Sequence, residues 1–153
     1  MNIKNAKIIV ASGPVIIEKR EGVEKVLLNR HGEDEKAKQY WKFVGGRIED
    51  FDFADETQSL EEACRREVKE EMGIGIKIIT PLKPMMISHP DEDNTFVVLI
   101  HYLAKRIGEV NCGSDIEQWQ WFDINKLPDH CAPNIKPVID EYIKLKENLK
   151  FEI

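Results

Sequence analysis

The sequence has no long apolar segment and little cysteine. None of its apolar runs approaches the roughly 20 residues that a membrane-spanning helix needs. Lys4 and Lys7 interrupt the apolar residues near the N-terminus, so no signal peptide is predicted. The cysteines form neither a Cys-x-x-Cys motif nor a zinc-binding pattern with the histidines; they are Cys64, Cys112 and Cys131. These absences predict reduced, buried thiols in a cytoplasmic protein without a membrane partner.

The sequence also has fewer basic than acidic residues. Lys and Arg number 22 against 28 Asp and Glu, which gives a formal net charge of −6. Proteins that bind nucleic-acid polymers depend on basic surface, so we expect no such polymer as a partner. A small phosphate ligand is still compatible with this charge, because bound cations and a few basic side chains can reverse the potential in one cleft. With 42% apolar residues, the chain is expected to form a single domain over residues 1–153.

The most informative segment is the charged run 66–74, Arg-Glu-Val-Lys-Glu-Glu-Met-Gly-Ile. On an α-helix, Glu70 and Glu71 fall three and four residues after Glu67, so the three carboxylates share one face. Gly73 is a natural helix stop, and glutamates in the last turn before it cost a few tenths to ~1 kcal/mol each. A divalent cation would reverse this cost, because it needs several oxygen ligands at one point.

The residues around this run resemble the Nudix box. The family core Arg-Glu-apolar-x-Glu-Glu-x-Gly-apolar is matched at every specified position by residues 66–74. Upstream, residues 45–49 (Gly-Gly-Arg-Ile-Glu) resemble the opening of the box, and residues 59–63 (Ser-Leu-Glu-Glu-Ala) resemble the start of its helix. The chain is therefore similar to the small MutT-type pyrophosphohydrolases of the Nudix family. Without this resemblance, the run would be interpreted as a solvated helix face and the two glycines as a plain turn.

The box departs from the family pattern in its loop. Gln58 stands where the family has a glutamate, and eleven residues separate it from Gly46 instead of five. Gln58 keeps a hydrogen-bond acceptor but loses the charge, and Glu56 could substitute for the missing carboxylate. A smaller departure is Val44, where many MutT-type sequences have proline. The six-residue insertion is acidic and aromatic, and its neighbourhood contains Glu49, Asp50, Phe51, Asp52, Phe53, Asp55 and Glu56.

The resemblance implies metal-assisted hydrolysis of a nucleoside diphosphate linked to a further group. Mg²⁺, with Mn²⁺ as a substitute, is favoured over Zn²⁺, since an all-oxygen ligand set suits hard cations. The implied metal ligands are Glu67, Glu70, Glu71 and the backbone carbonyl of Gly46 or Gly45. The implied catalytic residues are Glu67, Glu70 and Arg66. Glu67 is either a ligand or the base that orients the attacking water, and Arg66 holds a box carboxylate in an ion pair.

Three residues are candidates for binding the substrate. Arg47 follows the glycines and Arg30 ends a predicted strand, so either cation could hold the pyrophosphate or be an ordinary surface charge. Asn134 lies in residues 132–139 (Ala-Pro-Asn-Ile-Lys-Pro-Val-Ile), which resemble the MutT stretch whose asparagine reads a purine base edge. The alternative for Asn134 is a helix N-cap, which Pro137 in the first turn would support.

Neighbouring segments offer weaker candidates. Many family members take a further carboxylate from the loop before the Trp-containing strand, where this chain has Asp115 and Glu117. Pro90 lies sixteen residues past the box, near the position where some ADP-ribose enzymes have a proline. A stacking wall, or alternatively part of the core, could come from the aromatic residues Trp41, Phe43, Trp119 and Trp121.

Strand-like segments alternate with two helical ones, which predicts an α/β layered domain. The resemblance implies an α/β/α sandwich with a mixed β-sheet. The first helix is expected to begin at Ser59 and stop at Gly73, and the second to cover Ile135–Leu149. The predicted apolar stripe of the first helix is Leu60, Ala63, Cys64, Val68 and Met72. The predicted strands are 6–17 with a bend or bulge at 12–14, 25–30, 40–44, 74–82, 95–103 and 119–122.

Three functions are compatible with these motifs. The first is MutT-like cleavage of a nucleoside triphosphate, including oxidised forms, to the monophosphate and pyrophosphate. The alternative is hydrolysis of ADP-ribose or another sugar nucleotide. A non-catalytic module that binds nucleotides is a third interpretation, motivated by Gln58 and the insertion. In each case the expected partner is a small-molecule nucleotide, and the protein is expected to be a monomer or a homodimer.

Overall fold

The computed structural model describes residues 3–31, 40–49, 52, 59–114 and 116–149. Within these ranges, a short 3-10 helix at Ile3–Asn5 precedes the strands and the two α-helices. The strands are β1 (Lys7–Arg20), β2 (Val23–His31), β3 (Gly46–Arg47), β4 (Gly75–Pro81), β5 (Met85–Ser88), β6 (Thr95–Ile107) and β7 (Ile116–Asp123). The helices are α1 (Ser59–Met72) and α2 (Ile135–Leu149).

All of these strands belong to one mixed sheet. Its main order is β4-β6-β1-β2-β7, while β3 pairs with β1 and β5 pairs with β6. The β1–β6 pairing is parallel, and the other pairings are antiparallel. The hydrophobic segment predicted over 95–103 is the longer strand β6, which has partners on both sides. The predicted α/β sandwich with a mixed sheet is confirmed.

Alternating side chains of β1 supply the cores on both faces of the sheet. Val15 and Ile17 join one cluster, and Ile16 between them joins the other. The period of two along a strand explains this division. On the first face, α2 contributes Ile135, Val138, Ile139 and Tyr142. On the second face, α1 contributes Cys64, Val68 and Met72.

The predicted apolar stripe of α1 is right except at its first member. The four residues Ala63, Cys64, Val68 and Met72 are all fully buried. Leu60 is 36% exposed, so its assignment to the stripe is wrong. Its backbone contacts the sheet instead, because the Ser12 hydroxyl donates a hydrogen bond of 2.9 Å to the Leu60 carbonyl. The three cysteines are free thiols, and Cys64 is the fully buried one.

Two predictions about strands are wrong. Residues 12–14 do not bend or bulge but continue β1, and Gly13 there lets the next segment cross at close range. A Cβ atom on Gly13 would lie 2.1 Å from the Val44 carbonyl oxygen. Residues 40–44 form only isolated bridges, at Trp41 and Lys42, rather than a strand. The crossing segment then pairs as the short strand β3, with Gly46 opposite Ser12. Strand β5 has no counterpart among the predicted strands.

The turns and helix ends follow the sequence more closely. Glu21 and Gly22 have φ angles of 54° and 79°, and they form the tight turn between β1 and β2. Helix α1 ends directly before Gly73, whose φ is 67°. Helix α2 covers the predicted residues. In the described ranges, no helix combines the length and the apolar character needed to cross a membrane.

Candidate active site

The glycine loop entering β3 lies directly against a carboxylate of α1. A Cβ atom on Gly46 would be 2.3 Å from Glu67 Oε2, so a larger residue would collide with this carboxylate. A Cβ atom on Gly45 would be 2.6 Å from the Ser12 carbonyl oxygen. The two glycines therefore allow the loop backbone to pass between β1 and the acidic face of α1. This close approach places Gly46 beside Glu67.

The Glu71 carboxylate is 13% exposed and lies against the glycine loop and β2. The Gly45 amide donates a hydrogen bond of 3.2 Å to Glu71 Oε2, and Asn29 Nδ2 donates one of 3.4 Å to the same atom. His31 Nε2 lies 3.8 Å from Oε1. Burial raises the pKa of Glu71 to about 7, an effect opposed by the Gly45 amide and increased by the negative charge of Glu67. An ionised Glu71 at this position is costly without a nearby cation.

Arg66 connects the inserted loop, the glycine loop and the acidic face of α1. Its Nε and Nη2 atoms donate hydrogen bonds of 3.0 and 2.9 Å to the two carboxylate oxygens of Asp52. Nη2 also donates to the Arg47 carbonyl at 3.1 Å. On the helix, Nη1 lies 2.8 Å from Glu67 Oε1 and 3.2 Å from Glu70 Oε2. The predicted ion pair between Arg66 and box carboxylates is therefore present.

Glu67 and Glu70 differ in exposure. The side chain of Glu67 is 12% exposed and that of Glu70 is 58% exposed. Burial raises the pKa of Glu67, and the Arg66 guanidinium opposes this shift. Glu70 therefore faces solvent at the rim of the site, whereas Glu67 and Glu71 lie inside it.

The oxygen atoms of these carboxylates are suitable ligands for a hard divalent cation. Their side chains do not converge on one point, however. Among the described residues, no three His, Cys, Asp or Glu side chains lie close enough to hold a metal ion in their present positions. Arg66 holds Glu67 and Glu70, and the Gly45 amide holds Glu71. The donor set is nonetheless all oxygen, with the glycine loop beside it and two carboxylates buried at a cost that a cation would offset.

A cavity of about 560 Å³ opens on the α2 side of the glycine loop. Its lining includes Gly45, Gly46 and Arg47 of the glycine loop and Asn134. Most of the wall is apolar, with Ile9, Phe43, Ile87, Pro90, Val97 and Leu99 among its residues. A mostly apolar pocket with a few polar groups is typical of a site for a small organic ligand.

Asn134 lines this cavity and is 5% exposed. It directly precedes α2, and its carbonyl accepts the Val138 amide at 3.2 Å, as at a helix start. Its side-chain amide makes a different contact, because Nδ2 lies 3.0 Å from His101 Nε2. Burial lowers the pKa of His101 to about 4, while the Lys83 backbone opposes the shift, so the imidazole is neutral. With Nε2 as the acceptor, Asn134 Oδ1 and one N–H bond are left for a ligand.

The two predicted cationic residues have different surroundings. Arg47 lies at the cavity wall, with its Nη2 atom 3.6 Å from Glu92 Oε1 in the loop between β5 and β6. Arg30 packs its guanidinium 5.1 Å from the centre of the Trp41 ring. Arg30 is not among the residues that line the cavity. The structure therefore brings Arg47 and Asn134 to the same cavity and leaves Arg30 outside it.

Several candidate residues lie outside the described part of the chain. Gln58, Glu56 and Asp115 belong to this group, and Glu117 is described only in its backbone within β7. Trp119 is 42% exposed, whereas Phe43 is buried and edge-on to His101.

Sequence reasoning missed the roles of Asp52, His101 and Asn29. Asp52 belongs to the acidic insertion, where the sequence offers only Glu56 as a substitute for the missing carboxylate at position 58. His101 lies inside the most hydrophobic strand, where a lone histidine gives no signal of its partner 33 residues away. Asn29 likewise lies in β2 between apolar residues, and only the tertiary fold places it against Glu71.

A family model for the NUDIX domain matches residues 9–142, and the chain belongs to this family. It is similar to an ADP-ribose pyrophosphatase from Methanocaldococcus jannaschii, with 34% identity over 91 residues. That alignment covers 58% of this chain and 52% of the relative, so the match spans about half of the relative's length.

Two solved structures with the same fold are less similar in sequence. A MutT protein from Methanosarcina mazei Go1 superposes with a TM-score of 0.74 at 18% identity, covering 94% of this chain and 98% of the other. A Caenorhabditis elegans Ap4A hydrolase superposes with a TM-score of 0.73 at 17% identity, covering 92% and 98%. These similarities establish the Nudix fold of the chain.

Proposed function

We propose that this chain hydrolyses a nucleoside diphosphate linked to a further group, using Mg²⁺, with Mn²⁺ as a substitute. One observation carries the proposal: the glycine loop lies between an acidic helix face, with Glu67 against Gly46, and a cavity that a buried asparagine, Asn134, also lines. A phosphate bound at the loop would reach the metal ligands, while the rest of the substrate fills the cavity. Membership of the NUDIX family supports this assignment.

Glu67, Glu70, Glu71 and the Gly46 carbonyl would hold the cation. When bound, the cation neutralises phosphate oxygens and lowers the pKa of a water molecule. Glu71 is kept in place by the Gly45 amide, so the loop and the helix are positioned relative to each other. Glu67 acts either as a ligand or as the base that takes the proton of the attacking water. The water oxygen bonds to phosphorus as the bridging P–O bond breaks.

Arg47 and Asn134 would bind opposite ends of the substrate. Arg47 pairs with Glu92 at the cavity wall, and a phosphate could compete for the same guanidinium. Asn134 offers Oδ1 as an acceptor and an N–H bond as a donor, the pair of groups that matches the amino group and N7 of adenine. The apolar wall between them suits the faces of a base and a sugar. We therefore favour a purine nucleotide, and adenine in particular, as the bound part.

ADP-ribose is the first candidate substrate. The curated relative is an ADP-ribose pyrophosphatase, and Pro90, whose position resembles that of a proline in some ADP-ribose enzymes, lines the cavity. A nucleoside triphosphate is the second candidate, favoured by the MutT-like segment 132–139 around Asn134. Both substrates would use the same metal ligands and differ in the group beyond the diphosphate.

Product analysis separates these candidates. The purified protein is incubated with Mg²⁺ and, in separate reactions, with ADP-ribose, ordinary and oxidised nucleoside triphosphates, and dinucleoside polyphosphates. Conversion of ADP-ribose to AMP and ribose 5-phosphate would support the first candidate, and release of pyrophosphate from a triphosphate would support the second. Nucleotide binding without turnover of any member of the panel, with either Mg²⁺ or Mn²⁺, would contradict the proposed hydrolase and favour a binding module.

A further inference from the structure

The box of this chain lacks the family's glutamate at position 58 and gains an acidic loop before it. In that loop, Asp52 forms an ion pair with Arg66 of α1. Its side chain is only 3% exposed, although aspartate is rarely buried unless it is paired. The burial of Asp52 therefore depends on the groups that pair with its carboxylate.

Asp52 and Arg66 form a bidentate ion pair. Arg66 Nε and Nη2 each donate to a different oxygen of Asp52, at 3.0 and 2.9 Å. The Glu49 amide donates a further hydrogen bond of 2.7 Å to Asp52 Oδ2, and the Asp52 amide returns one of 2.9 Å to the Glu49 carbonyl. The Arg66 hydrogen bonds hold the pKa of Asp52 below its usual range, so it is ionised. Parallel hydrogen bonds between guanidinium and carboxylate add direction as well as strength.

The same guanidinium touches two of the proposed metal ligands. Nη1 lies within ion-pair distance of Glu67 and Glu70, while Nη2 also holds the Arg47 carbonyl beside the glycine loop. Without the charge of Asp52, the Arg66 guanidinium would interact more strongly with these two glutamates and would compete with a cation for them. Asp52 balances the charge of Arg66 and fixes its plane, which leaves the glutamate oxygens more available to a metal.

We propose that Asp52 is a positioning residue for the metal site and performs the task of the glutamate that this box lacks. The inference rests on the proposed metal-dependent function, but it concerns how Arg66 and the glutamates are held. With Asp52, the insertion supplies the carboxylate that Gln58 lacks. The chain can therefore keep the remaining charged residues of the box, which are Arg66, Glu67, Glu70 and Glu71.

Metal binding without nucleotide tests this proposal. Mn²⁺ titrations of the wild-type protein are compared with those of Asp52→Asn and of the control Glu49→Gln, which removes an equal charge from an exposed side chain of the same loop. We expect Asp52→Asn to weaken Mn²⁺ binding by roughly 10-fold or more, the range for outer partners of metal ligands. Glu49→Gln should bind within twofold of wild type. Equal binding by folded Asp52→Asn and wild type would overturn the proposal.

A rescue experiment distinguishes positioning from simple stabilisation. The double variant Asp52→Asn/Gln58→Glu restores a carboxylate at the family position, and we expect it to regain most of the lost Mn²⁺ affinity. A double variant that folds but binds as weakly as Asp52→Asn would contradict the proposed exchange of roles. Loss of folding in both variants would make Asp52 purely structural and would also overturn it. Failure of the wild-type protein to bind Mn²⁺ would instead refute the metal site itself.

Discussion

Gly46 leaves room for the Glu67 carboxylate where a side chain of any size would collide with it. Gly45 leaves room for the backbone of β1 and presents its amide to Glu71. At the scale of single residues, the site thus depends on missing side chains as much as on charged ones. At the proposed substrate-binding cavity, the side-chain amide of Asn134 contacts a buried neutral histidine, His101.

Replacing Gly46 with alanine should damage catalysis more than folding. The new Cβ would lie 2.3 Å from Glu67 Oε2, so the glutamate or the loop must shift by an ångström or more. We expect kcat to fall by about 100-fold, since misplacement by 1 Å can have that effect. Gly75→Ala is the control, because its Cβ would meet Ile107 at an ordinary 3.6 Å. Equal kcat values for the two variants would show that Gly46 does not constrain Glu67.

Replacing Asn134 with alanine should raise KM while changing kcat little. The lost pair of hydrogen bonds to a base edge is worth about 1–3 kcal/mol, which is roughly a 5- to 150-fold change in KM. The exposed Asn125, changed to alanine, serves as the matched control. Steady-state kinetics with ADP-ribose and its hypoxanthine analogue should show the wild-type preference for adenine disappear in Asn134→Ala. A preference that survives the substitution would assign base recognition to other residues.

At the scale of elements, α1 has two tasks on two of its faces. One face packs Val68 and its apolar neighbours against the sheet, and another carries Glu67, Glu70 and Glu71. The glutamates near the C-terminal end are unfavourable for an isolated helix, so packing must compensate for them. The helix is therefore held in place mainly by its apolar side.

Val68→Ala tests that compensation. Val68 is fully buried, and removing two methyl groups should lower the free energy of unfolding by about 2 kcal/mol. Leu60→Ala, on the same helix but 36% exposed, should cost about 1 kcal/mol or less. Urea unfolding curves give both values. A larger loss for Leu60→Ala than for Val68→Ala would contradict the packing described for α1.

The sequence predicts elements well where one face is regularly apolar. The bounds of α2, the turn at Glu21–Gly22 and the helix stop at Gly73 all agree with the structure. Residues 12–14 mislead because Gly13 and Pro14 are strand-breaking types by composition. The glycine is instead required for the close crossing at Val44, a contact between segments that are distant in sequence. The same reason explains why the pairs Asp52–Arg66 and His101–Asn134 could not be predicted.

At the scale of the whole molecule, buried titratable groups link the site to stability. His101, with a pKa of about 4, is neutral in the folded protein at pH values where an exposed histidine would be charged. Below its ordinary value of 6.5, the unfolded chain takes up a proton that the folded protein does not. This residue therefore stabilises the fold above pH 6.5 relative to lower pH. That contribution is lost as the pH falls from about 6.5 to 4.

Replacing His101 with glutamine should reduce this loss. Melting temperatures of His101→Gln, measured between pH 4 and pH 7, should decline less toward acid than those of the wild-type protein. Glu71, with a pKa near 7 caused by burial, acts in the opposite direction but is present in both proteins. His130→Gln, at an exposed position, is the control and should follow the wild-type curve. Parallel curves for His101→Gln and wild type would contradict a neutral, buried His101.

The central claim is that the acidic face of α1 holds the catalytic metal, and Mg²⁺-dependent turnover of Glu70→Gln tests it most directly. The substitution keeps the shape of an exposed side chain and removes one ligand charge, so the fold should remain intact by circular dichroism. The control is Glu62→Gln, another exposed glutamate on the same helix. We expect Glu70→Gln to lose at least 100-fold in kcat and Glu62→Gln to stay within twofold of wild type. Unchanged turnover in Glu70→Gln would contradict the assignment of the metal site to this face.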